Sequence, residues 1–167
     1  FFDSTPIHQL PPGRFLGSGV YAIYYLGNYS LYNALGKLNQ ADCQHPIYIG
    51  KAVPFGWRTG RRSDLDEPPL FRRLTEHANT IRATDLEVDD FRCRFMILLG
   101  IESDLVVPVE AEMIRRSRPL WNTVVDGFGN HDPGQGRYKQ ALSEWDALHP
   151  GREWAKRLTG IPPVQDN

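Results

Sequence analysis

Tyr21, Tyr48, Lys51, Arg73, His77, Glu110 and Asn122 are the side chains of this sequence whose types and order point to chemistry. They fall in short runs: Gly19-Val20-Tyr21, then Tyr48-Ile49-Gly50-Lys51, then Arg73 and His77 four positions apart, and last Glu110 followed by Pro119 and Asn122. A guanidinium binds an oxyanion through two parallel N–H bonds, a role in which lysine is inferior. A carboxylate suits a hard divalent cation, and a phenol or an imidazole can hold and pass a proton. Taken singly, each has an ordinary structural role, since a tyrosine on a strand usually packs and a helix glutamate usually faces water. The information lies in the combination.

The elements that must position these groups can be read from periodicity. Gly19 to Leu26 is rich in aromatic and β-branched residues and reads as a first strand. Ser30 to Gln40 sets Leu31, Ala34, Leu35 and Leu38 at helical spacing, and Ile47 to Lys51 reads as a second strand. Residues 54–69 hold Pro54, Gly56, Gly60, Pro68 and Pro69 with arginines between them, which reads as a long loop. In Leu70 to Ile81 one helix face carries Leu70, Leu74, Ala78 and Ile81, and a neighbouring face carries Arg73 and His77. Asp90 to Gly100 reads as a third strand, and Asp104 to Arg118, ended by Pro119, as a helix containing Glu110. Short helical patterns are expected around Tyr138 to Leu148 and Gly151 to Leu158.

In this order and spacing the motifs resemble the GIY-YIG nuclease superfamily, from Gly19 to Asn122. Val20 stands where the namesake motif has isoleucine, and the insertion between the two strand motifs is longer than in the smallest members. The resemblance implies an α/β (α+β) fold with a central three-stranded antiparallel sheet flanked by helices. It implies hydrolysis of a phosphodiester bond with a divalent ion, Mg²⁺ or Mn²⁺. Strands and flanking helices also follow from periodicity alone.

Phosphodiester hydrolysis needs an aligned water, charge stabilisation at phosphorus and help for the departing 3′ oxygen. Glu110 is assigned as the metal ligand and Tyr21 as the general base. A free phenol titrates near 10, so Tyr21 needs cationic neighbours, which Arg73, His77 and Lys51 are expected to supply. Arg73 is expected to bind the phosphate, with Arg72 as an adjacent competitor. His77 either relays the Tyr21 proton or donates to the leaving group. Tyr48 is expected to orient phosphate or water, and Asn122 to anchor the chain after Pro119 rather than react.

Whole-chain properties narrow the partners. With 19 Lys and Arg against 20 Asp and Glu, the formal net charge is -1, so bulk charge does not grip a polyanion and any DNA affinity must come from local clusters. Arg58, Arg61, Arg62 and Arg72 form one such cluster, and Asn130, His131 and Arg137 lie in a Gly-rich polar segment. All are expected to touch DNA. Asn130-His131-Asp132 as part of an HNH site is a weak rival because no partner histidine stands at a suitable distance, and Cys43, His45 and Cys93 as zinc ligands because they lack paired spacing. No apolar run approaches the roughly 20 residues of a membrane span. The chain starts at Phe1 without Met or a recognisable leader, and a bacterial cytoplasmic setting without membrane contact is expected.

A single domain is expected over 1–167, with a catalytic core at about 17–125, a DNA-recognition loop at about 54–69 and a C-terminal lobe at about 126–167. The stretch from Asn122 to Gly134 resembles the compact type II restriction endonucleases of this superfamily that read a CCGCGG-type palindrome in double-stranded DNA. A palindrome implies a two-fold homodimer, with the Ser30 to Gln40 helix as candidate contact, and a cognate DNA methyltransferase as functional partner. The alternatives are a non-cleaving DNA-binding module and a repair or structure-specific nuclease of the same superfamily.

Overall fold

Every residue of β2 (Gly19–Tyr25) is buried, so this strand has protein on both faces and forms the centre of the sheet. The structure, a computed structural model, describes residues 4–54 and 68–161. Arg58, Arg61 and Arg62 lie outside the described residues. The remaining strands are β1 (His8–Gln9), β3 (Tyr48–Ala52) and β4 (Phe91–Ile97), arranged in the order β1-β4-β2-β3 with every neighbouring pair antiparallel. The sheet thus has the three expected strands and one more. β1 pairs through His8 with Cys93 and through Gln9 with Arg92. Two residues are too few to show an alternating pattern, so this strand leaves no periodic signal.

Side chains alternate along β2 and sort the core into two layers. Tyr21, Ile23 and Tyr25 face α2 (Pro69–Arg82), which presents Leu70, Leu74, Ala78 and Ile81, as its spacing predicts. Val20, Ala22 and Tyr24 face α3 (Val106–Ser117), which presents Val106 and Met113. Helix α3 starts two residues later than expected, after a 3₁₀ segment at Gly100–Leu105. Pro108 has no N–H to give, so it fits only in a first helical turn.

The outer edge of β3 is capped by the chain that follows α3. There Arg118 takes a left-handed conformation (φ 45°) before Pro119, turning the backbone so that the Trp121 N–H donates to the Ile47 carbonyl at 2.9 Å. The Asn122 amide continues the pattern, accepting from Ile49 N–H at 2.8 Å and donating to its carbonyl at 2.9 Å. A side chain here replaces a missing strand and blunts an open sheet edge.

Two expectations need correction. Helix α1 (Asn33–Asn39) is shorter than Ser30 to Gln40, and only Leu35 of its spaced apolar residues packs against the core. Leu31 and Leu38 are 58% and 61% exposed, whereas Tyr32, Gly36 and Asn39 turn inward. Gly36 lies against the Gly27 carbonyl, and Asn39 donates to the Tyr25 and His45 carbonyls, so close backbone approach and amide bonding seat this helix together with the packing of Tyr32 and Leu35 on the core. In the C-terminal lobe the expected helices shrink to α5 (Glu144–Leu148) and 3₁₀ turns at Gln135–Arg137 and Ala155–Arg157. Ser143 caps α5 by accepting from Asp146 N–H at 3.2 Å, which fixes its start six residues after Tyr138 and leaves no room for a longer helix. A four-residue helix, α4 (Leu120–Thr123), links α3 to this lobe.

Candidate active site

Strand register places the two tyrosines. Tyr21 lies opposite Gly50 and Ile23 opposite Tyr48, so both phenols leave the same face of the sheet, toward α2. The Tyr21 ring crosses directly over Gly50, where any Cβ would collide with its hydroxyl. The glycine of the second motif is therefore required by the tyrosine of the first. Lys51, opposite Val20, leaves the other face and forms an ion pair with Glu110 of α3.

On the α2 side, His77 Nε2 lies 2.6 Å from the Tyr21 hydroxyl, and both side chains are buried. Burial pushes the Tyr21 phenol well above its ordinary value, and Tyr48 raises it further while the Arg73 guanidinium opposes the shift. Burial also holds the His77 imidazole well below its ordinary value, reinforced by Arg73, His131 and Arg152. His77 is consequently a neutral imidazole and not one of the cations expected around Tyr21. Lys51 is occupied by Glu110. The positive charge that favours phenolate character comes from Arg73.

Arg73 is held from several sides: Nη2 donates to the Gly129 carbonyl at 2.6 Å, and Nη1 lies 3.0 Å from Glu76 Oε2 and 3.2 Å from His131 Nδ1. Phe128 stacks on His77 with ring centres 4.4 Å apart and planes 18° apart, and its edge meets Tyr48 at 4.9 Å.

A cleft of about 400 Å³ joins the two sides of the sheet around the end of β3. Tyr21, Tyr48, Lys51, Arg72, Arg73, Glu110 and His131 of the expected residues line it. His77 stands behind Tyr21. Asn122 lies outside the cleft lining and acts on the β3 backbone. Asn130 and Arg137 line a neighbouring depression of about 330 Å³ that shares His131 with the cleft. Sequence reasoning missed Glu76, Phe128, Gly129 and Arg152. Glu76 was within reach, since it follows Arg73 by one helical turn and so shares its face.

The donor set also bears on a divalent ion. Among the described residues no three His, Cys, Asp or Glu side chains converge, which also leaves Cys43, His45 and Cys93 without a zinc site. Cys43 and Cys93 are buried free thiols. Within the cleft Glu110 is 15% exposed and Glu76 stands on the opposite wall. Glu110 on one wall, with Glu76 paired to Arg73 on the other, fits Mg²⁺, which is bound by one or two carboxylates, keeps several waters and takes its other ligands from substrate phosphate. It does not fit an ion held in an all-protein cage.

Two tyrosines on paired strands, an arginine and histidine helix over one face and a glutamate helix over the other define a GIY-YIG nuclease domain. Residues 13–166 match the family described as the Eco29kI GIY-YIG domain, and the chain belongs to this family of GIY-YIG restriction endonucleases. The match extends beyond the motifs through the C-terminal lobe. A second similarity, 38% identity over 58 residues, is to methylmalonyl-CoA mutase of Escherichia coli (strain K12). It covers 35% of this chain and only 8% of the mutase, and carries no activity across. Among the described residues no helix is long and apolar enough to cross a membrane.

Proposed function

We propose that the protein is a type II restriction endonuclease that hydrolyses both strands of duplex DNA at a GC-rich palindrome. The observation that supports this reading best is the Tyr21–His77 hydrogen bond, 2.6 Å long, at the floor of a cleft whose walls carry Arg73 and Glu110.

Tyr21 is the general base. Burial makes both a phenolate and an imidazolium costly, so the two transfers are concerted: Tyr21 gives its own proton to neutral His77 Nε2 as it takes one from the attacking water, and the imidazolium forms only as negative charge builds on the phosphate. The water oxygen bonds to phosphorus and the bond to the 3′ oxygen breaks. Arg73 exchanges its contacts with Glu76 and His131 for the phosphate oxygens and offsets the growing negative charge. Tyr48 lines the same wall and orients the phosphate. Standing behind Tyr21 and away from the cleft lining, His77 suits proton relay better than donation to the leaving group. Glu110 would hold a Mg²⁺ or Mn²⁺ ion, with Lys51 yielding the carboxylate. When bound, such an ion neutralises phosphate charge and steadies the departing oxygen.

Arg72, Asn130, His131 and Arg137 border the cleft and its neighbouring depression and are assigned to DNA contact; Arg58, Arg61 and Arg62 are assigned to it on their sequence clustering and lie outside the described residues. A palindrome is matched by a two-fold symmetric homodimer, which follows from the type II reading. Exposed Leu31 and Leu38 flanking and on α1 are the apolar surface assigned to that contact.

Digestion of a plasmid in Mg²⁺, followed by sequencing of the fragment ends, tests the proposal. Discrete fragments with one shared palindromic end sequence are expected. Random ends, or cutting only at branched or damaged DNA, would support a structure-specific nuclease.

A further inference from the structure

We propose that Arg152 is a positioning residue for this site, acting through the Gly127–Asn130 turn to fix Arg73 and His77; the inference rests on the endonuclease reading above. Arg152 lies in the C-terminal lobe, outside the motifs and 5% exposed. Its Nη2 donates to the Gly127 carbonyl at 2.8 Å, and its Nη1 donates to the Phe128 and Asn130 carbonyls at 3.3 and 3.0 Å. One guanidinium therefore gathers three carbonyls of a single turn. A fork of fixed donors can do this, and a lysine ammonium on a flexible stem cannot hold the same geometry.

The clamp is itself fixed. Asp146 accepts from Arg152 Nε at 2.6 Å and from the Ser143 hydroxyl at 2.6 Å. The Trp145 and Trp154 rings enclose the guanidinium, each centre 4.7 Å from its central carbon. Gly127 takes φ +114°, a conformation that side chains rarely adopt, and a Cβ there would strike Ser143. A buried, fully satisfied ion pair is therefore attached to a turn with a restricted backbone.

What the turn presents to the cleft gives the clamp its consequence. The Gly129 carbonyl receives Arg73 Nη2, and the Phe128 ring lies flat on His77. A Cβ on Gly129 would reach the Tyr48 hydroxyl, so the turn also sits directly on the second tyrosine. The phosphate-binding guanidinium and the proton acceptor thus take their positions from the same four residues. Small displacements of reacting groups cost rate steeply, about a hundredfold for 1 Å.

Arg152→Lys keeps the charge opposite Asp146 and loses the fork. Asp146→Asn keeps the shape, weakens the pair and serves where Arg152→Lys fails to fold. Each variant is compared with wild type for single-turnover plasmid cleavage per folded molecule, for DNA affinity without divalent ions, and for the NMR titration of His77, assigned with His77→Gln. Cleavage is expected to fall about tenfold or more with affinity held within about threefold, and His77 is expected to titrate closer to 6.5 as its cover loosens. Wild-type cleavage by folded variants with an unmoved His77 titration would overturn the proposal. So would a loss of affinity as large as the loss of cleavage, which would make Arg152 a DNA contact. If wild type leaves the plasmid intact, the endonuclease reading fails while the His77 titration still decides whether Arg152 positions that ring.

Discussion

The Tyr21 hydroxyl and His77 Nε2 lie 2.6 Å apart between a strand and a helix, with burial raising the proton affinity of one and lowering that of the other. A buried phenol next to a neutral imidazole is a one-step proton path. It works for water activation only if the phenol reaches the cleft, as its place in the lining allows.

That geometry separates the two tyrosines. Tyr21→Phe removes the bond to His77 and should lower the cleavage rate about a hundredfold or more, within the range of general-base catalysis. Tyr48→Phe leaves the Tyr21–His77 pair in place and should cost less. Single-turnover rates on one plasmid substrate compare them. The reverse order would make the partly buried Tyr48 the base.

The histidine shift sets a pH dependence of stability. His77 has a folded value below its unfolded one, so below pH 6.5 the unfolded chain binds more protons than the folded chain. Stability is therefore full above 6.5 and falls as pH drops from there toward the folded value. His149, buried and lowered by burial against the opposing pull of Asp85, acts in the same direction. Denaturant midpoints measured from pH 7.5 to 5 should decline, with His77→Gln flattening part of the slope. Each histidine that protonates only on unfolding contributes up to about 1.4 kcal/mol per pH unit. A midpoint that rises on acidification contradicts the neutral imidazole.

Arg73→Lys retains a cation but cannot bind the Gly129 carbonyl and a phosphate with the same fork. Cleavage should fall about a hundredfold, the scale of losing one preorganised donor to the transition state. Stopped-time assays at saturating enzyme read this directly, and an unchanged rate would leave Arg73 a structural residue.

Asn122 acts on the fold. Asn122→Ala strips two hydrogen bonds from Ile49 at the edge of β3 and should cost about 2 kcal/mol in chemical denaturation. Loss of activity in proportion to loss of folded protein is expected, because no atom of Asn122 lines the cleft.

Much of this was legible in the sequence where side-chain pattern and backbone demand coincide. The α2 face bearing Leu70, Leu74, Ala78 and Ile81 points inward as its period predicts, which leaves Arg73 and His77 beside the core. The apolar spacing of α1 is less informative, because only Leu35 of it packs on the core while Gly36 and Asn39 make the close contacts; a glycine contact and an amide bond leave no apolar signal. Tyr21, Tyr48, Lys51, Arg73 and Glu110 were visible as motif residues and do converge on one cleft. The neutrality of His77 was not visible, because it depends on burial beneath Phe128, a residue distant in sequence. Arg152 was hidden for the same reason, since its carbonyl partners carry no side-chain signature.

We propose that Glu110, facing Arg73 across the cleft, makes this a metal-dependent DNA-cutting site. Single-turnover cleavage of a plasmid by wild type and Glu110→Ala, with Mg²⁺ and with EDTA, tests it most directly. Discrete cutting by wild type is expected in Mg²⁺ and not in EDTA, with a rate at least about a thousandfold lower for Glu110→Ala while it still binds the DNA. Cutting by Glu110→Ala near the wild-type rate, or wild-type binding without cleavage in Mg²⁺ or Mn²⁺, would contradict it.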